Sequence, residues 1–279
     1  MRTAFRAPLG FAITLVVLGA VWEVVKALGG DPIGTWTPPF QWKIASDLNL
    51  PHLWDVAGAF VEPAQRNGPP LGAVLVDAAL FTFREAFGGF VFGAALGLLL
   101  AVVFVHVSLL ERALVPYVVA SQTVPILAIA PVVVIWLQAG WLSVAVISAY
   151  LTFFPVTIAA IRGLRSPDPR AIELMRSYAA SRAQVLLKVR LPAAAPYLFT
   201  AFKVAATSSV VGAIIGELPS GIREGLGGAI LNFNQYYISG PPKLWAAIIV
   251  AALVGIASFT LVLVAEIAVL RGRARTADR

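Results

Sequence analysis

Cysteine does not occur anywhere in the 279 residues, so disulfides, thiolate metal centres and cysteine nucleophiles are excluded outright. Histidine is nearly missing too: His52 and His106 lie far apart, which gives no basis for a metal site. Charge is the third scarcity. Only 13% of the residues are charged, whereas a soluble domain uses about a quarter to cover its surface. Between Arg112 and Arg162 there is not one Asp, Glu, Lys or Arg. Buried soluble helices do not run that long without a charge; the bilayer is the solvent such a stretch requires.

What is present fits that solvent. The chain is 59% hydrophobic, with a mean hydropathy of +0.85. A net charge of +7 suits a nucleic-acid binder, but at this hydropathy it marks basic residues retained on the cytoplasmic side, and no nucleic-acid partner is expected. Met1 to Arg6 is short and basic, and an apolar run follows to Trp22. This resembles a signal peptide, yet no small-x-small cleavage pattern closes it, so it is read as an uncleaved first helix with Glu23 and Lys26 near its outer end.

A span needs about 20 apolar residues. The first covers residues 8–28, and the Pro- and Trp-containing stretch from Asp31 to Pro70 is too mixed to cross. The second covers 80–106, with a lead-in carrying Asp77, Arg84 and Glu85. The uncharged block provides a third span at 116–138 and a fourth at 142–162, turning at Gly140-Trp141. The fifth covers 196–217, with Lys203 snorkelling toward the nearer interface, and the sixth 244–269. The expected fold is therefore an all-α polytopic membrane protein with six transmembrane helices. Its parts are an N-terminal helix (1–30), a periplasmic segment (31–70), a core (71–270) and a basic tail (271–279). Six spans put both ends on one side, together with Arg2, Arg6, the eight Lys or Arg of 162–203 and the arginines of the tail. The positive-inside rule makes that side the cytoplasm.

The loop at 163–195 has its own local grammar. Asp168 is a good N-cap with Pro169 at the first helical position, so a helix should start there. Ser181 and Gln184 form a capping-box pattern, so a second short helix should follow, ended by Pro192. A tether needs no such structure. The alternatives are a docking surface or an amphipathic loop lying on anionic headgroups.

This loop resembles the signature of binding-protein-dependent ABC importer permeases, Glu-Ala-Ala, three residues, Gly, nine residues, Ile-x-Leu-Pro. Here the register reads Glu173-Leu174-Met175, Ala179 and Val189-Arg190-Leu191-Pro192. The likeness extends over roughly 50–270. Pro125-Ile-Leu-Ala-Ile-Ala-Pro131, Phe153-Phe-Pro155, Leu191-Pro-Ala-Ala-Ala-Pro-Tyr197 and Gly212-Ala-Ile-Ile-Gly-Glu217 with Gly225-Leu-Gly227 look like the nitrate, sulfonate, taurine and thiamine-precursor (NitT/TauT-like) branch. Leu137-Gln138-Ala139 and Ala201-Phe202-Lys203 depart from it.

The resemblance implies a MetI-like type I ABC importer permease fold in the bacterial cytoplasmic (inner) membrane. It also implies a cytoplasmic coupling helix seated on an ABC ATPase dimer. Glu173 would be the polar anchor beside Leu174 and Met175, Ala179 the small residue at the turn, and Leu191-Pro192 the rigid link to the fifth span. A second permease subunit, identical or not, and an external solute-binding protein complete the implied assembly. ATP and Mg would sit on the ATPase: Ser220-Gly-Ile-Arg-Glu-Gly225 lacks the Lys of a phosphate-binding loop, so no cofactor and no catalytic residue is expected on this chain.

Other features have plainer meanings. Gly89, Gly93 and Gly97 recur every four residues and suggest a close-packed helix face. Gln122, Thr123, Thr207, Ser208 and Ser209 are polar at membrane depth, bonding between helices or lining the pathway, and Glu217 sits at the outer end of the fifth span. Mid-span carboxylates and half-length repeats, which an ion-gradient-driven secondary transporter would want, are lacking. No nucleophile motif or acidic metal motif supports a membrane enzyme. No ring of Arg serves an oxyanion within the spans, which points to a neutral organic solute, such as a pyrimidine-type vitamin precursor, over nitrate, sulfonate or taurine.

Overall fold

The uncharged run between Arg112 and Arg162 does not fold into two straight spans. In the computed structural model, which describes residues 6–32, 36–138 and 140–277, its first half breaks into α4 (Ser108–Ser121) and α5 (Ile126–Trp136). The two axes are bent by 99°. Proline is the cause. Pro125 has no N–H to return to the carbonyl of Ser121 and holds an extended conformation (φ −62°, ψ 118°) as the N-cap of α5. The freed Ser121 carbonyl is not left bare: the hydroxyl of Tyr150 donates to it. Tyr150 belongs to α6 (Trp141–Leu164), which begins at the expected turn, with the Ser143 hydroxyl donating to Gly140 O at 2.7 Å.

The remaining helices are α1 (Arg6–Gly29), α2 (Leu53–Ala59), α3 (Leu71–His106), α7 (Pro169–Ser177), α8 (Arg182–Val185), α9 (Leu191–Ser220), α10 (Leu226–Gln235) and α11 (Pro241–Ala277). Among the described residues, α3, α6, the path Arg182–Ser220 and α11 are long and apolar enough to cross a membrane, and the bent pair α4/α5 makes a fifth. The six expected spans are reached only by adding α1, whose 24 residues extend about 36 Å at 1.5 Å each. The third span is the real departure, since a 99° bend replaces a straight crossing.

Two compact units divide the chain. One holds the described residues up to Val76 together with Ile230–Ile249, and the other holds Asp77–Ala229 with the chain from Val250 onward. The second contains the loop and is organised on α6. Small residues let its neighbours come close. A Cβ on Gly93 of α3 would lie 2.6 Å from the Cβ of Thr152, and Gly89 and Gly97 are pressed against α6 in the same way. The expected glycine face is thus a packing face. Ser148 and Thr152, buried within α6, donate to Ser209 O (2.9 Å) and Ser148 O (3.0 Å). Both hydroxyls are satisfied on backbone carbonyls, as hydrocarbon surroundings demand.

In the first unit the C-terminal end of α1 is a polar anchor. Lys26, 1% exposed, pairs with Asp47 and donates to Leu50 O at 2.6 Å. Glu23 accepts from Leu53 N at 2.8 Å and meets His52 Nδ1 at 2.7 Å. Trp22 donates to Pro51 O (3.0 Å) and packs edge-on against Trp245. The 31–70 stretch, with no membrane-length helix among its described residues, is folded back onto α1 by these contacts.

Candidate functional site: the loop between α6 and α9

Local chemistry builds the loop as the sequence suggests at its start. Asp168 Oδ1 accepts from Arg170 N at 2.8 Å with Pro169 at the first helical position, so α7 begins there. Ser181 and Gln184 cap α8 reciprocally, at 2.8 and 3.3 Å. Between them the chain reverses through Ala179 at φ 53°. Ala180 N donates to Met175 O (3.0 Å) and Ala179 N to Arg176 O (2.9 Å), the paired bonds of a Schellman motif. An L-residue with a Cβ is strained in this conformation, which costs about 1–2 kcal/mol. Alanine is the smallest such residue.

Pro192, expected to end the second short helix, does not do so. A π-helical turn over Leu186–Arg190 continues α8 into α9, and Pro192 falls in the first turn of α9, where a missing N–H costs little. The loop therefore has no slack at its exit. Leu186 and Leu191 pack against the cluster of Phe104, Ile161, Leu164 and Leu198, which joins α3, α6 and α9. At the other end, Arg165, just beyond α6, pairs with Glu111 of α4.

The expected loop residues thus separate by exposure. Glu173 and Leu174 are exposed, Leu174 by 58%, as is Tyr178 by 78%. Leu174 and Tyr178 stand four residues apart and so share one face of the turn. Met175 and Ile172 are half-buried, so the apolar face that helical spacing gives to Ile172, Met175 and Tyr178 is divided, with Tyr178 left exposed. The turn thus leaves a carboxylate beside an uncovered leucine and tyrosine.

The polar residues considered for a pathway do not converge. Gln122 caps the C-terminus of α4, and Thr123 is exposed with its hydroxyl on Ala120 O (2.8 Å). Thr207 and Ser208 are half-buried on α9, and Thr207 donates to Val204 O at 2.8 Å. Ser209 is buried, its hydroxyl on Ala206 O. Glu217 is 1% exposed rather than at an open mouth. Its Oε1 accepts from Thr82 at 2.6 Å, and its Oε2 accepts from Gly227 N at the start of α10. Thr82 in turn accepts from Leu226 N at 2.8 Å. Glu217 is a capping group for α10, and Thr82, which the sequence did not single out, is its partner. The Lys203 ammonium meets Glu266 of α11 at 2.8 Å, a partner the sequence did not assign to it.

Comparison with known proteins adds an independent line. Residues 93–271 match the family described as binding-protein-dependent transport system inner membrane component. A riboflavin transport system permease protein of Chloroflexus aurantiacus is 31% identical over 253 residues, covering 91% of this chain and 86% of that protein. A formylaminopyrimidine transport permease protein of Halalkalibacterium halodurans is 31% identical over 224 residues, covering 76% and 88%. A taurine transport system permease protein of Escherichia coli is 28% identical over 247 residues, covering 84% and 82%.

Proposed function

The chain belongs to the binding-protein-dependent transport system inner membrane components, and from that membership we propose that its α6–α9 loop is the coupling element that docks on a cytoplasmic ATPase. The chain is a multi-pass membrane protein and a permease subunit of an ABC importer for small organic solutes. It is not itself the ATPase; partner subunits hydrolyse ATP.

The exposed face of α7 carries the proposal. Glu173, Leu174 and Tyr178 are exposed, on a turn closed by Ala179 and fastened to the core through Leu186 and Leu191. In this proposal, closure of an ATPase dimer around ATP and Mg pushes α7 as a rigid body. The unbroken helical path from Arg182 to Ser220 carries the push along the membrane. Both termini are cytoplasmic, in keeping with the basic 162–203 segment and tail, and the membrane is the bacterial inner membrane. A second permease subunit and an external binding protein complete the assembly.

For the solute, a neutral or weakly polar heterocycle of the pyrimidine or vitamin-precursor type is favoured over nitrate, sulfonate or taurine. The relatives named for riboflavin and formylaminopyrimidine transport support this, and the pairing of Lys203 with Glu266 leaves that cation committed. Co-purification tests the coupling role. Wild-type chain should bring down the ATPase, and Glu173→Arg should lose it together with ATP-dependent uptake; an intact complex and intact uptake would reject the assignment.

A further inference from the structure

Transport accounts for the loop and the spans but not for the aromatic side chains gathered beyond the end of α1. The last turn of any helix leaves carbonyls without intrahelical donors. In α1 three consecutive ones are taken by the segment that follows. The Trp36 indole donates to Ala27 O at 3.1 Å, Phe40 N to Leu28 O at 3.0 Å, and Trp42 N to Gly29 O at 2.9 Å. The Trp42 ring lies directly on the helix end. A Cβ at Gly29 would come within 2.5 Å of that ring, so only glycine admits it. Phe40 stacks on Trp42 with centroids 5.4 Å apart and planes 12° from parallel.

These rings are fixed in place yet uncovered. Trp36 is 56% exposed, Phe40 54%, Trp42 47% and the adjoining Ile44 79%. Fixed, exposed apolar surface in water is costly, and three aromatics with an isoleucine within nine positions form a patch rather than a scatter. The depth of the patch is set by the helix. It sits level with Ala27–Gly29, at the end of a helix whose sides also expose Val16, Leu18 and Val24. That level is where a spanning helix leaves the hydrocarbon, the zone that selects Trp and Tyr. The Trp36 N–H is already bonded within the protein, so the ring enters that zone without an unsatisfied donor. Lys43 beside it is exposed, with no carboxylate within ion-pair distance among the described residues, and its stem can lift the ammonium to lipid phosphates.

We propose that residues 36–44 form a membrane-interface anchor, with Trp36, Phe40, Trp42 and Ile44 seated in the bilayer leaflet at the C-terminal end of α1. The occupant of this face is the lipid interface, not a soluble protein. The anchor clamps the end of α1, and through Lys26 and Asp47 it holds the rest of the 31–70 segment at the membrane surface. It requires membrane insertion of α1 but not the coupling role of the loop.

Tryptophan quenching tests it. The full chain would be placed in nanodiscs of phosphatidylcholine brominated either near the ester end of the acyl chains or near their methyl end. The readout is the difference between wild type and Trp36→Phe/Trp42→Phe, a change that keeps aromatic bulk. The anchor predicts that the fluorescence lost in the double variant is the part quenched by the shallow bromines and shielded from aqueous acrylamide. If the lost part is instead insensitive to shallow bromines, or is quenched freely by acrylamide, the face lies in water where a soluble partner would reach it, and the proposal fails. An unchanged size-exclusion profile and thermal midpoint in detergent confirm that the double variant folds, a control that does not depend on the coupling role tested by Glu173→Arg.

Discussion

Thr82 of α3 and Glu217 of α9 meet at 2.6 Å, hydroxyl to carboxylate, and together hold the first two amides of α10, those of Leu226 and Gly227. Three elements, α3 and the consecutive α9 and α10, share one buried pair. The arrangement combines a capping carboxylate with the partial positive charge of a helix N-terminus. Because Glu217 is 1% exposed, neither oxygen has water to fall back on.

Replacing Thr82 by Val should therefore orphan both Glu217 Oε1 and Leu226 N. A buried group left without its partner costs about 1–3 kcal/mol, so the thermal midpoint in detergent should drop by several degrees. Thr82→Ser, which keeps the hydroxyl, should stay close to wild type. Equal losses in the two variants would mean that methyl packing, not the hydrogen bonds, is what Thr82 supplies.

Ala179 offers a test of opposite sign. It holds φ 53° at the Schellman turn between α7 and α8. Glycine adopts this conformation without the Cβ clash, although it adds freedom to the unfolded chain. The net expectation for Ala179→Gly is stabilisation of the loop by up to about 1 kcal/mol, read as slower hydrogen exchange at the Ala180 amide. Ala179→Val, β-branched, should speed that exchange and weaken ATPase co-purification.

How much of this was legible in the sequence follows from distance along the chain. The caps at Asp168 and Ser181 are interactions over two or three residues, and their sequence patterns translate directly into bonds. The glycine spacing of α3 was also legible, since a period of four fixes a helix face. A proline in an apolar run signals a kink, but the full break at Pro125 is not legible, because what makes it tolerable is Tyr150, 29 residues from the carbonyl it rescues. Thr82 with Glu217, separated by 135 positions, and Lys203 with Glu266, by 63, have no local signature at all. Nothing in a threonine about three turns into an apolar helix says which carboxylate it will meet.

The absence of cysteine makes orientation directly measurable, since any thiol introduced is the only one. Arg182 in α8 and Arg66 in the 31–70 segment are both exposed. In intact cells with a permeabilised outer membrane, an impermeant maleimide should label Arg66→Cys and spare Arg182→Cys. Inside-out vesicles should reverse the pattern. Labelling of both from one side would overturn the six-crossing arrangement and with it the cytoplasmic placement of the loop.

Lys203 and Glu266 supply the last test, and its logic is that of a charge pair within a membrane. Their side chains are only 19% and 17% exposed, with nitrogen and oxygen 2.8 Å apart. Two opposite charges at this separation compensate each other's lost hydration, and neither is stable there alone. Lys203→Met strands the carboxylate of Glu266 between α9 and α11, and the loss should be about 1–3 kcal/mol once partial exposure is allowed for. Glu266→Gln strands the ammonium and should cost less, because a four-carbon stem can carry it toward the interface. The double variant Lys203→Met/Glu266→Met removes both charges and leaves apolar surface against lipid and helix, so it should recover most of the stability. A double variant as unstable as the worse single one would show that these positions contribute through packing alone, and that the ion pair is incidental to how α11 is held.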